Sequence, residues 1–167
     1  SVTRIENGTM KIEKEPEIVE EVILEAVKHI DRRKNEHHIH IRIDDDMMMA
    51  DMDAKLMIQV IINLVDNAIK YSNEAVMITL SGEKTDDSAT VRVRDNGIGI
   101  PLREQHKIFD KFERVSSNSR KIAASGFGLG LNYVLQVVNA HGGMVKVESI
   151  EGSYSEFIIH FPSFKNV

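Results

Sequence analysis

Two hydrophobic periods divide the chain. His38–Ile43 reads His-Ile-His-Ile-Arg-Ile, and Met10–Glu15 reads Met-Lys-Ile-Glu-Lys-Glu. Alternation of that kind puts successive side chains on opposite faces of an extended backbone, so both segments predict strands. Val76–Gly82 and Thr90–Arg94 predict two more, joined by a polar loop from Lys84 to Ser88. Met144–Ser149 and Tyr154–Phe161 predict a closing hairpin around Glu151-Gly152. Between these runs the period changes to that of a helix. In Glu17–Asn35 the apolar stripe is Ile18, Val22, Ala26 and Ile30, flanked by Val19, Ile23 and Val27. Pro16 and an acidic first turn mark its start. Asp53–Ser72 carries Met57, Ile61, Leu64, Val65 and Ala68 on one face. Leu102–Phe112 reads as helical. Leu131, Val134, Leu135 and Val138 mark another helix, stopped by Gly142-Gly143. Arg114–Ser125 is polar, serine-rich and aperiodic. The order of elements is neither a regular βαβ alternation nor all-β. It predicts a mixed sheet with helices packed on one face.

A length of 167 residues suits one domain with a short appendage. Residues 1–9 are polar, contain Gly8 and read as a helix tail or connector, leaving 10–167 as the domain proper. The chain opens at Ser1 without methionine, which suggests a piece of a longer polypeptide. With 42% hydrophobic and 28% charged residues, whole-chain disorder is excluded. A net charge of −5 makes nucleic acid or an anionic membrane a poor general partner. The absence of cysteine excludes disulfides, thiolate metal sites and thiol chemistry. No apolar run approaches the roughly 18 residues of a membrane span, and no secretory leader pattern is present.

Three clusters carry candidate chemistry. Asn63, Asn67 and Lys70 are spaced i, i+4, i+7 on the helix 53–72, on the face opposite its apolar stripe. A solvated polar face is the plain explanation. Asparagine, however, is a poor helix former, and amide oxygens with an ammonium suit an anion carrying a hard cation. The second cluster, Asp95-Asn-Gly-Ile-Gly-Ile100, leaves a strand and enters a helix through Pro101. A strand-to-helix turn explains Gly97 and Pro101 but not Gly99. Paired glycines let backbone approach a flat ligand closely, and Asp95 can accept from an exocyclic amine. The third, Gly126-Phe-Gly-Leu-Gly130, opens a helix and exposes amide donors at its positive end, suited to phosphate. Its spacing is not that of a dinucleotide fingerprint, and no P-loop pattern occurs. His37, His38 and His40 are scattered over both faces of a strand and read as surface residues. Met47-Met-Met49 reads as strand filler.

Together the clusters resemble the catalytic, ATP-binding domain of bacterial sensor histidine kinases, within the gyrase, Hsp90, histidine kinase and MutL superfamily. The resemblance covers about residues 10–162. It implies a Bergerat-type α/β (α+β) two-layer sandwich: a mixed, mainly antiparallel sheet with three main helices on one face. Gln59–Ser72 looks like the family's N box. By resemblance Asn67 is the Mg²⁺ ligand, Asn63 lies near the triphosphate, Lys70 contacts phosphate and Tyr71 lies beside the nucleotide. Asp95-Asn-Gly-Ile-Gly99 looks like the first glycine box, with Asp95 holding the adenine amine and Gly97, Gly99 and Ile100 around the base. Phe109-Asp-Lys-Phe112 looks like the F box, with Phe109 and Phe112 at the nucleotide and Arg114 reaching the phosphates. Gly126-Phe-Gly-Leu-Gly130 looks like the second glycine box. The resemblance assigns Gly126, Gly128, Leu129, Gly130 and Leu131 to nucleotide binding, with Ser155 on the last strand. Residues 113–125 would be a lid.

Arg4-Ile-Glu-Asn-Gly8 resembles the end of a dimerisation helix, and the opening phrase with Ile108–Phe112 is similar to Kdp-type potassium sensor kinases. The family's phosphoaccepting H box is missing: His29-Ile-Asp-Arg-Arg comes nearest and lacks the proline. The resemblance therefore implies a kinase domain that binds ATP and Mg²⁺ and phosphorylates a histidine on a separate dimerisation domain of the same full-length, homodimeric kinase. It also implies a response-regulator receiver domain downstream and a cytoplasmic position in a membrane-anchored bacterial sensor. Two alternatives stay open. Hydrolysing members of the superfamily place a glutamate as base one turn before the Mg²⁺-binding asparagine; here that position is Asn63, and an amide takes no proton. A non-catalytic ATP-sensing or partner-binding module is the other. A serine-kinase regulator of a sigma factor is a remote third.

Overall fold

The computed structural model describes residues 5–6, 9–30, 38–43, 47–70, 77–84, 88–109 and 127–162. The alternating segments become strands: β1 (Ile5–Glu6), β2 (Thr9–Met10), β3 (Glu15–Ile18), β4 (His38–Ile43), β5 (Met49–Met52), β6 (Met77–Lys84), β7 (Ser88–Asp95), β8 (Met144–Ile150) and β9 (Tyr154–Pro162). The helices are α1 (Val19–Lys28), α2 (Ala54–Lys70), α3 (Leu102–Gln105) and α4 (Phe127–Ala140). None of these helices is long and apolar enough to cross a membrane.

Five strands form one sheet in the order β4-β6-β7-β9-β8. The β4–β6 pair is parallel, with His38 opposite Met77, and the other pairs are antiparallel. The sheet is therefore mixed and mainly antiparallel, as expected. Alternation decides which face is buried. Ala89, Val91 and Val93 of β7, and Phe157, Ile159 and Phe161 of β9, meet Ile23, Val60, Ile61, Leu64, Leu131 and Val134 of the three main helices. The other face carries Arg42, Arg92, Arg94 and Glu156 around a shallow cavity of about 240 Å³. There Arg92 pairs with Glu156 at 3.1 Å and Arg94 stacks on the Tyr154 ring at 4.0 Å.

Five segments differ from the periodicity reading, the first two for a visible tertiary reason. Within Met10–Glu15 only Met10 and Glu15 lie in strands, because the Glu13 N–H donates to the Asp53 carboxylate at 2.9 Å instead of joining a ladder. The first helix starts at Val19 rather than Glu17. Glu15–Ile18 is extended and pairs antiparallel with Met49–Met52, an arrangement Pro16 tolerates in a two-stranded ladder. In the methionine run, Met49 opens β5, Met48 is buried and Met47 is exposed. Helix α3 is only four residues, followed by turns to Phe109. Ile5–Glu6, in the segment read as helix tail or connector, forms a short ladder with Thr9–Met10.

Candidate functional site

Helix α2 is anchored at its start by Asp53, whose carboxylate accepts the Leu56 N–H at 3.3 Å. From there the stripe Met57, Ile61, Leu64, Val65 and Ala68 is buried, as its period requires. The opposite face is not simply solvated. Asn63 and Asn67 are half-buried and face the first turn of α4. The Asn63 amide nitrogen donates to the Gly130 carbonyl at 3.4 Å, and its oxygen accepts from Gln59 at 2.8 Å. A β-carbon at Gly130 would lie 3.9 Å from the Asn67 amide nitrogen and 4.0 Å from that of Asn63. Among the described residues the Asn67 nitrogen is buried without a hydrogen-bond partner. A buried amide left unpaired is costly and points to a missing ligand. Lys70 is exposed at the end of the same helix.

The second cluster is built at the end of β7. Asp95 is buried at 8% exposure and accepts the Gly97 N–H at 2.8 Å. Burial pushes its carboxyl up to about 6, against the opposing effects of the Gly97 hydrogen bond and the Arg94 charge. Gly99 has φ of 71°, and a β-carbon there would lie 2.2 Å from the Ile150 carbonyl oxygen. Only glycine lets this turn seat against the β8–β9 hairpin. Gln105 closes the turn from behind, donating to the carbonyls of Ile100 at 2.9 Å and Ser149 at 3.0 Å.

The expected residues divide by position. Asn63, Asn67 and Gly130 come together between α2 and α4, while Asp95, Gly97 and Gly99 form the turn at the β7 end. Ser155 is buried directly opposite Asp95 in the β7–β9 register. The side chains of Ile100 and Leu131 are buried in the core. Phe109 packs edge-on against Phe157 with ring centres 6.0 Å apart, and its carbonyl accepts from Asn132 at 2.9 Å. Gly128 and Leu129 lie in the first turn of α4. Tyr71, Phe112, Arg114, Gly126 and the expected lid 113–125 lie outside the described residues.

Several residues that shape the site carry little local signal. Gln59 orients Asn63, and Gln105 and Ser149 hold the glycine turn. A serine at an inward position of β8, after Val145 and Val147, is the one mark that could have singled out Ser149.

Asn67 also tests whether Mg²⁺ suits these residues. The amide atom left without a partner among the described residues is the nitrogen, a donor suited to a phosphate oxygen, while the Asn67 oxygen is the one neutral ligand atom this side chain could offer a cation. That fits an ion that keeps most of its ligands as water and phosphate oxygen. Asn67 would hold the ion, which would neutralise phosphate charge there.

A sequence model of the histidine kinase-, DNA gyrase B- and HSP90-like ATPases matches residues 52–165. The sensor protein KdpD of Clostridium acetobutylicum is 36% identical over 163 residues, which is 96% of this chain and 18% of that protein. The sensor histidine kinase WalK of Bacillus subtilis is 34% identical over 140 residues, 81% of this chain and 23% of that protein. The chain thus spans about a fifth of the length of these curated relatives. Among solved structures, the nucleotide-free catalytic domain of the histidine kinase ThkA superposes with a TM-score of 0.78 at 27% identity, covering 91% of this chain and 99% of that one. The paired asparagines, the glycine turn after Asp95 and the glycine-rich start of α4 are set in that fold, and the chain belongs to the histidine kinase-, DNA gyrase B- and HSP90-like ATPase family as a catalytic ATP-binding domain homologous to those of sensor kinases.

Proposed function

We propose that this chain binds Mg-ATP between α2, the first turn of α4 and the 95–100 turn, and passes the γ-phosphoryl group to a histidine on a separate dimerisation domain of the full-length kinase. In that reaction the imidazole nitrogen forms a bond to γ-phosphorus, the bond from phosphorus to the bridging oxygen breaks, ADP leaves, and the imidazole proton passes to solvent. The observation that carries the reading is the Asn67 amide nitrogen, a buried donor beside Gly130 with no hydrogen-bond partner among the described residues. Asn67 and Lys70 would meet the phosphates and Asp95 the adenine amine. Catalysis is then positioning and charge neutralisation, with no strong base required from this chain.

Asn63 argues against ATP hydrolysis as the main activity. Its oxygen accepts from Gln59 and its nitrogen donates to Gly130, so it has no capacity to take a proton from water. In the full-length protein we place the domain in the cytoplasm of a membrane-anchored homodimeric sensor, with a response-regulator receiver domain taking the phosphoryl group onward. The test is to mix the chain with a dimerisation domain from a homologous sensor kinase and γ-labelled ATP. Label on the histidine, dependent on Mg²⁺, is the expected result. ATP binding with no transfer to any such domain favours the non-catalytic ATP-sensing module.

A further inference from the structure

Three residues cross the helix-covered side of the sheet in register: Asp95 on β7, Ser155 opposite it on β9, and Ser149 opposite Ser155 on β8. Asp95 and Ser155 are buried, and Ser149 is half-buried. The Ser149 hydroxyl oxygen has three partners. It receives the Ile100 N–H at 2.7 Å, lies 2.7 Å from the Tyr154 carbonyl oxygen, and lies 3.0 Å from the Ser155 hydroxyl oxygen. A serine hydroxyl has one proton and two lone pairs. The Tyr154 carbonyl can only accept, so the Ser149 proton goes there. One lone pair takes the Ile100 N–H. The contact between the two serines is then possible only with Ser155 donating. Its proton therefore points to Ser149 and not across the sheet to Asp95, its neighbour in the β7–β9 register.

The geometry points to Ser149 as a positioning residue for base specificity, acting through Ser155: it makes the wall beside Asp95 an acceptor-only edge. Such an edge welcomes an exocyclic amine and rejects a purine that presents a carbonyl oxygen at the same place, because facing acceptors leave both groups unpaired. The inference rests on the reading of this site as the nucleotide site. Two functions meet in one hydroxyl: it ties the glycine turn to the sheet through Ile100, and it sets the direction of the Ser155 proton.

Calorimetric titration of the chain with ATP and with inosine triphosphate tests it. In wild type ATP binds more tightly. In Ser149→Ala the Ser155 hydroxyl is released to donate toward the base, and the ATP preference narrows by about tenfold, the worth of one hydrogen bond. Ser149→Thr keeps a hydroxyl in place and keeps the wild-type ratio. Should the alanine variant fail to fold, Ser149→Cys preserves size with a weak acceptor and narrows the ratio in the same direction. An ATP-to-inosine triphosphate ratio unchanged in both the alanine and cysteine variants overturns the inference, as does a threonine variant relaxed like alanine. Wild-type protein that binds neither nucleotide overturns the nucleotide reading itself.

Discussion

The backbone N–H of Asp53 donates to Nε2 of His141 at 2.9 Å, joining the start of α2 to the end of α4. Nδ1 of the same ring lies 2.7 Å from the Val137 carbonyl, so it carries the proton and the ring is neutral. His141 is 1% exposed. Burial pulls its basicity below the ordinary 6.5, and the Lys14 charge adds to this, while the Val137 carbonyl and the charges of Asp53 and Asp51 oppose it. The unfolded chain therefore takes up the proton more readily than the folded one. Stability from this residue is full above about pH 6.5 and is lost as pH falls below that value. Urea melts from pH 8 to pH 5 should show that decline, and His141→Ala should flatten it while costing about 2–4 kcal/mol for the cavity and the orphaned Asp53 N–H.

Asp95 titrates near 6 in the folded chain, and its charged form is the one that accepts an amine. ATP affinity should therefore weaken as pH falls through about 6. The Asp95→Asn variant should bind weakly at neutral pH and lose that pH dependence. Because the unfolded carboxyl titrates at 3.8, the sign for stability is opposite to that for His141: Asp95 favours the folded state below that value, and the advantage is lost as pH rises toward 6. Isothermal titrations across this range check the binding profile, and an unchanged profile in Asp95→Asn counts against the assignment.

Gly130→Ala separates stability from function. The added methyl would meet the two asparagine amides at 3.9 and 4.0 Å, ordinary contact distances. Replacing a helical glycine with alanine should raise stability by about 0.5–1 kcal/mol. On the proposed nucleotide reading the same methyl enters the space beside Asn63 and Asn67 where phosphate would sit, so ATP affinity should fall. Thermal melts and nucleotide titration on one sample read both effects.

Gly99→Ala should behave differently. Positive φ and a carbonyl oxygen 2.2 Å from the new β-carbon leave the turn no place to relax without lifting off the β8–β9 hairpin. A loss of about 2 kcal/mol or more is expected, together with weakened ATP binding. Denaturant unfolding measures the first and calorimetry the second.

Asn67→Ala removes an amide nitrogen that has no partner among the described residues, so stability should change by less than about 1 kcal/mol. Asn67→Asp places a carboxylate beside the expected phosphates. Both variants should fold and lose phosphotransfer to a supplied dimerisation domain. Normal transfer by Asn67→Ala would remove Asn67 from the site.

Local pattern was enough to predict β4, β6, β7, β8 and β9: β4 and β8 alternate over their own length, and β9, buried without a break from Ser155 to Ile159, is a short apolar run bounded by a turn. It also predicted α2 and the stop of α4, where Gly142 has φ of 74°. The candidate residues Asn63, Asn67 and Gly99 stood out because asparagine is a poor helix former and a second glycine is more than a strand-to-helix turn needs. Long-range pairing left no such mark. The β3–β5 ladder joins a segment that looked helical to one hidden in a methionine run. The bond between Asp53 and His141 spans 88 positions, and that between Ser149 and Ile100 spans 49. Nothing local selects those partners. They meet because the sheet order and the packing of α2 and α4 on one face bring buried donors and acceptors to each other, where each must be paired.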